Sequence, residues 1–120
     1  MRLDHIASPS FDPAATHRFY TELLDAVLTF AVSGNAGAQR WLLVEYALGD
    51  TTLASLTYAG MTPPRGGDLP DDIRHVAFSV ADANGLERRR AAFSDAGVRF
   101  KVELHAPDDP TSTCTIPTAW

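Results

Sequence analysis

The sequence predicts an α+β protein built from two copies of one β-α-β-β-β unit, the second incomplete. Two observations carry this. First, Leu3-Asp4-His5-Ile6-Ala7 returns as Ile73-Arg74-His75-Val76-Ala77, an offset of 70 residues. Second, the same offset aligns Asp12 with Asp82, Asp25 with Asp95, Ala26 with Ala96, Leu28 with Val98 and Phe30 with Phe100. One constant offset across a strand, a helix and the next strand marks a repeated supersecondary unit.

Each element has its own local signal. Met1 to Ala7 reads as a strand with Leu3, His5 and Ala7 on one face. Asp12-Pro13 supplies an N-cap followed by proline at the first helical position. Ala15, Phe19, Leu23 and Ala26 recur at helical spacing, and Tyr20 and Leu24 widen the stripe. Val27 to Val32 is the second strand, Ser33 to Gly37 a turn, Gln39 to Ala47 the third strand and Thr51 to Tyr58 the fourth. Residues 59–70, rich in glycine and proline, read as a linker between unit one (1–58) and unit two (71–120) of one domain. Unit two opens with a strand from Ile73 to Val80. A helix capped by Asp82 or Asn84 follows and runs to Ala96, with Gly97 at its C-terminal end. Val98 to Leu104 and Thr111 to Ile116 are further strands. By the offset Trp120 matches Asp50, so the partner of the strand Thr51 to Tyr58 is missing.

Composition narrows the function. The chain has 120 residues, 45% of them hydrophobic and 21% charged, as in an ordinary domain with a real core. A net charge of −5 argues against a nucleic-acid binder. Arg88-Arg89-Arg90, the single basic cluster, lies on the second helix and reads as a solvated face. One cysteine, Cys114, rules out an internal disulfide framework and a Cys-based zinc site. No apolar run reaches the roughly 20 residues that span a bilayer. No signal peptide is visible, so a cytoplasmic protein is expected. No phosphate loop or nucleophile elbow is present. The two histidines at symmetric positions make a shared metal site the first hypothesis. His17 is expected on the helix surface and His105 at a strand end. Trp41, Tyr46, Phe78 and Phe100 could line a cavity for an aromatic substrate, with Phe78 read as core. Glu45 could serve as a general base if its side chain points inward.

The stretches Leu3-Asp4-His5-Ile6, Arg18 to Leu24, His75 to Val80 and Ala96 to Phe100 together resemble the vicinal oxygen chelate superfamily of glyoxalases, bleomycin-resistance proteins and extradiol dioxygenases. The resemblance implies two paired βαβββ units forming a half-open barrel with a divalent metal in its cavity. It implies His5 and His75 as first-strand metal ligands. It places Ala54 where unit one of a glyoxalase-like member offers its last-strand ligand, so a four-ligand glyoxalase site is disfavoured. The two-histidine, one-carboxylate triad of the extradiol enzymes fits better, with Fe(II) first and Mn, Zn or Ni as alternatives. In the family the final glutamate follows an Asp-Pro-Asp-Gly turn. This chain lacks that turn, and Glu45, Glu103 and His105 are the nearby substitutes. Read one base earlier, the codons for Thr113 to Trp120 permit His-Leu-His-Asp-Pro-Asp-Gly-Met, which suggests a frame-shifted tail. Thr111 to Trp120 is therefore expected to pack irregularly and leave an exposed strand edge covered by self-association, giving a homodimer. The function implied is a dioxygenase-like reaction on a small catechol-like substrate. The alternatives are a metal-free drug-binding protein of the bleomycin-resistance type and a glyoxalase-type lyase.

Overall fold

In the computed structural model, residues 3–63, 75–104 and 112–117 are described. The chain divides into two units, residues 1–63 and 64–120, and the division falls inside the segment read as a linker.

Unit one begins with strand β1 (His5–Pro9). Asp12 then sits in extended backbone, and its carboxylate accepts the Ala15 N–H at 2.9 Å, with Pro13 opening helix α1 (Pro13–Arg18). That bond satisfies one of the helix's orphan donors, and proline has no N–H to lose there. The helix continues into a π-helical turn, Phe19–Leu23, whose consecutive aromatics Phe19 and Tyr20 are both buried. Asp25 ends it in the left-handed region (φ 56°), which Asp tolerates better than most residues.

Three strands follow: β2 (Val27–Ala36), β3 (Gln39–Leu48) and β4 (Thr51–Tyr58). The turn after β2 is tighter than the Ser33 to Gly37 turn expected. Strand pairing holds to Ala36 and resumes at Gln39, with Gly37 at φ 64°. The sheet order is β1-β4-β3-β2, with β1 parallel to β4 and the other pairs antiparallel. This is the predicted β-α-β-β-β unit.

Strand alternation divides the sheet into two faces. Tyr46 stands in register with Leu53, and both are buried. Tyr46 packs its ring on Tyr20, with centroids 4.9 Å apart, so this face carries the helix. Ser10, buried, ties strand to helix through a 2.7 Å hydrogen bond between its hydroxyl and that of Thr16. The Thr57 hydroxyl donates to the Ser10 carbonyl at 2.8 Å and joins β4 to the same corner. The opposite face carries His5, Ala7, Thr52, Ala54 and Glu45.

Unit two contains β5 (His75–Val80), α2 (Ala83–Asp95), β6 (Lys101–Leu104) and β7 (Ser112–Pro117). Asp82 caps α2 through the Gly85 N–H, as Asp12 caps α1. At the other end, Gly97 (φ 68°) donates to Ser94 O and Val98 donates to Phe93 O at 2.9 Å. This paired return of N–H groups to the last helical turn favours glycine at the reversal. Leu86 and Phe93 are buried, and Phe93 stacks on Phe100 at 5.6 Å. Arg88 and Arg90 are exposed, as a solvated face requires. Residues 98–100, read as strand, precede β6 instead.

The sheet of unit two has order β5-β7-β6, antiparallel throughout. The strand expected at Thr111 to Ile116 is found as Ser112–Pro117, which corrects the expectation of irregular chain for that stretch, while Thr111, residues 118–120 and the side chains of 112–117 lie outside the described residues. Ser112–Pro117 runs in unbroken register from Val80↔Ser112 to His75↔Pro117 and pairs with β6 on its other edge. In unit one β3 is separated from β1 by β4. In unit two the third strand lies directly beside the first. The exchange is permitted because β3 also runs antiparallel to β1, so no strand has to reverse. It pairs the backbone groups of β5 along the whole of His75–Val80.

Candidate functional site

His5 is the first residue of β1, and its imidazole is half exposed. Its Nδ1 lies 2.9 Å from an Asp4 carboxylate oxygen. A carboxylate only accepts, so in the neutral ring this contact puts the hydrogen on Nδ1 and the lone pair on Nε2. That is the tautomer a metal-ligating histidine needs, with the carboxylate as the group that orients the ring. His75 occupies the same place in unit two, as first residue of β5. Its side chain lies outside the described residues, as do those of Glu103 and Cys114 and the whole of His105.

Two cross-strand rows define the His5 face of unit one. The first runs His5–Thr52–Ala47 and the second Ala7–Ala54–Glu45. Ala54 is only 2% exposed, and its methyl group brings no donor atom to the fourth strand. Among the described residues, no group of three or more His, Cys, Asp or Glu side chains could hold a metal ion. A ligand set drawn from both ends of unit one therefore does not fit. His5, half exposed and with its ring held by Asp4 through Nδ1, fits the role of a single first-strand ligand.

The aromatic residues separate by strand parity. Trp41 is on the His5 face and lies across Gly34 of β2, where an added Cβ would come within 2.6 Å of Cζ2. Phe30, 48% exposed, stands in register with Glu45 on the same face. Tyr46 departs from the cavity-lining role considered for it. It is 1% exposed on the helix face, and His17 Nδ1 lies 3.2 Å from its hydroxyl. Burial, and then the neighbouring Tyr20, hold its pKa above the usual 10.0. Phe100 packs in unit two against Phe93. Phe78 is half-buried on β5. The His17–Tyr46 pair was not anticipated from sequence. Tyr46 shares parity with Leu42 and Val44, but Trp41, Leu43 and Ala47 make the other face of β3 as apolar, so β3 by itself carried no signal for the pair.

Comparison with known proteins places this arrangement. The family model for the Glyoxalase/Bleomycin resistance protein/Dioxygenase superfamily matches residues 2–113. No curated protein matches. Among solved structures, a mutant of the genomically encoded fosfomycin resistance protein FosX from Listeria monocytogenes aligns with TM-score 0.63 at 13% identity. The alignment covers 88% of this chain and 77% of that one. That FosX structure holds Mn(II) and 1S,2S-dihydroxypropylphosphonic acid. A glyoxylase/bleomycin resistance protein/dioxygenase domain from Frankia sp. EAN1pec aligns with TM-score 0.58 at 22% identity, covering 89% of this chain and 77% of that domain. At these identities the structural likeness establishes the fold, and no described helix is long and apolar enough to cross a membrane. With its family model spanning nearly the whole sequence, this chain belongs to the Glyoxalase/Bleomycin resistance protein/Dioxygenase superfamily.

Proposed function

We propose that this chain is a metal-dependent, dioxygenase-like protein acting on a small substrate with vicinal oxygens, such as a catechol, and that His5 and His75 are its metal ligands. The supporting observation is positional. Each histidine opens the first strand of its unit, and each stands seven residues before the aspartate that caps the following helix. Strand and cap are placed independently by local sequence, so the coincidence reflects a duplicated unit with its histidine retained. Asp4 supplies the orientation of the His5 ring. When bound, a divalent metal, Fe(II) first and Mn, Zn or Ni otherwise, supplies Lewis-acid polarisation of the substrate oxygens. The reading includes both units acting as one domain and a cytoplasmic homodimer.

The test is metal content. Protein purified without chelator and reconstituted with Fe(II) under argon, or with Mn(II), is expected to hold metal. The His5→Ala and His75→Ala variants are expected to fold and to lose it together. A parent protein that takes up neither metal would sink the reading, as would variants that keep their metal. Light scattering checks the dimer.

A second reading is favoured by Ala54. A metal-free binder of the bleomycin-resistance type needs no ligand on the fourth strand, and Ala54 offers a methyl group there beside Ala7 and opposite Glu45. Binding of an aromatic compound that is unchanged by EDTA, in a protein that takes up no metal, would establish it in place of the first.

A further inference from the structure

We infer that Glu45 is the residue that orients the substrate of this protein, accepting a hydrogen bond from a hydroxyl of a flat, mostly apolar ligand lying on the His5 face of unit one. The inference rests on the reading of that face as the small-molecule side, and adds to it the polar group that a ligand must satisfy.

Glu45 lies between Val44 and Tyr46 on β3. Tyr46 is locked into the helix-bearing face by its contacts with Tyr20 and His17. Alternation therefore sends the Glu45 side chain to the opposite face. Registers on both sides agree: Glu45 faces Ala54 of β4, and Ala54 faces Ala7 of β1, two residues along from His5. The carboxylate and the imidazole thus share one face of one sheet.

Its surroundings are apolar and small. Ala54 and Ala7 fill the rest of its row with methyl groups, Ala54 buried and Ala7 exposed, so the row brings no polar side chain to the carboxylate. Phe30 faces it from β2, and Leu43 and Ala47 flank it along β3 on the same face. Glu45 is half-buried, and among the described residues its carboxylate has no hydrogen-bond or ionic partner. Its backbone carbonyl accepts the Thr29 hydroxyl at 3.2 Å, which fixes the main chain and does not involve the carboxylate. A half-buried carboxylate on an apolar face is costly when unmatched, and it binds best what returns a hydrogen bond. Among the described residues no Lys or Arg stands on these rows, and a ligand hydroxyl is a group that can match the carboxylate. A ring hydroxyl supplies both the donor and the flat apolar body that Phe30 and the alanines accept.

The experiment compares catechol with 1,2-dimethoxybenzene, which has the same ring and no donor, by calorimetric titration of the full chain and its Glu45→Gln variant. Circular dichroism confirms folding, with Glu45→Ala as a second variant. Metal content is measured in parallel. Expected results are that the parent prefers catechol, that both variants lose roughly tenfold or more in catechol affinity, that dimethoxybenzene binding is unchanged, and that metal content is unchanged. Equal catechol affinity in parent and variants would overturn the inference. So would equal losses for both probes, which mark a packing role, or metal lost with Glu45, which makes it a ligand of the cation instead. A parent that binds neither probe overturns it as well. The His5→Ala and His75→Ala metal readout is independent of all these outcomes, so the two readings fail separately.

Discussion

His17 on the first helix and Tyr46 in the middle of β3 meet at 3.2 Å, ring nitrogen to phenol oxygen, with ring centroids 5.8 Å apart. They are 29 residues apart in sequence, and the contact fastens the helix of unit one to its sheet. One partner is exposed and the other is buried to 1%. The phenol therefore reaches the protein's polar edge through a single imidazole while its ring stays in the core.

That placement predicts an alkaline weakness. Burial holds the Tyr46 pKa above its ordinary 10.0 in the folded state. Above pH 10 the unfolded chain releases the proton while the folded chain keeps it. The unfolded state then binds fewer protons, so stability falls as pH rises. Tyr46→Phe is expected to cost about 0.5–1.5 kcal/mol at neutral pH through the lost hydrogen bond. It should also flatten the decline above pH 10, so that the curves of parent and variant converge. Urea denaturation from pH 8 to 11 measures both effects.

The two aspartate caps should be energetically equivalent. Asp12 and Asp82 each accept an N–H three residues on, at the start of corresponding helices. Asp12→Ala and Asp82→Ala are each expected to cost about 1 kcal/mol. Asparagine at either position should recover most of the loss. Chemical denaturation of all four variants checks this, and a cost confined to one cap would argue against equivalent roles in the two units.

Gly34 keeps a seat for Trp41. A methyl group there would come within 2.6 Å of the indole, and the indole would have to swing away. Gly34→Ala is expected to change the near-ultraviolet dichroism of Trp41 and to cost about 1–3 kcal/mol, the range for overpacking. An unchanged aromatic spectrum would show that the ring lies elsewhere.

Installing a carboxylate on the fourth strand should be a conditional gain. Ala54→Glu would set a second acid directly opposite Glu45, and like charges at facing positions destabilise a sheet. The variant is expected to melt below the parent in EDTA, to recover when combined with Glu45→Gln, and to be raised by Mn(II) more than the parent is. Thermal melts of the four proteins with and without Mn(II) test this. No rescue by Glu45→Gln would mean that burial of the longer side chain at position 54, not the facing charge, sets the cost.

Among the described residues of unit two, the buried side chains are Leu86 and Phe93. Phe93 is 1% exposed and stacks on Phe100, so Phe93→Ala is expected to cost about 3–5 kcal/mol and to melt α2 away from its sheet. Hydrogen exchange along residues 83–95 reads this directly.

What the sequence determined by itself is short-range: the strands and helices, the aspartate caps, the glycine after α2, the duplication and the two histidines at matched positions. Caps, periodicity and turn residues act within a few neighbours, so a linear reading captures them. Tertiary structure decided what depends on register. Whether Glu45 or Tyr46 faces the helix cannot be read from β3 alone, because a one-residue shift exchanges the faces. Partners in β1, β4 and the helix settle it, sending Tyr46 to the core and Glu45 to the side of His5. The tail shows the same division. The frame-shift reading suggested an irregular tail, yet Ser112–Pro117 pairs on both edges, because β5 and β6 offer open backbone groups that a strand between them satisfies.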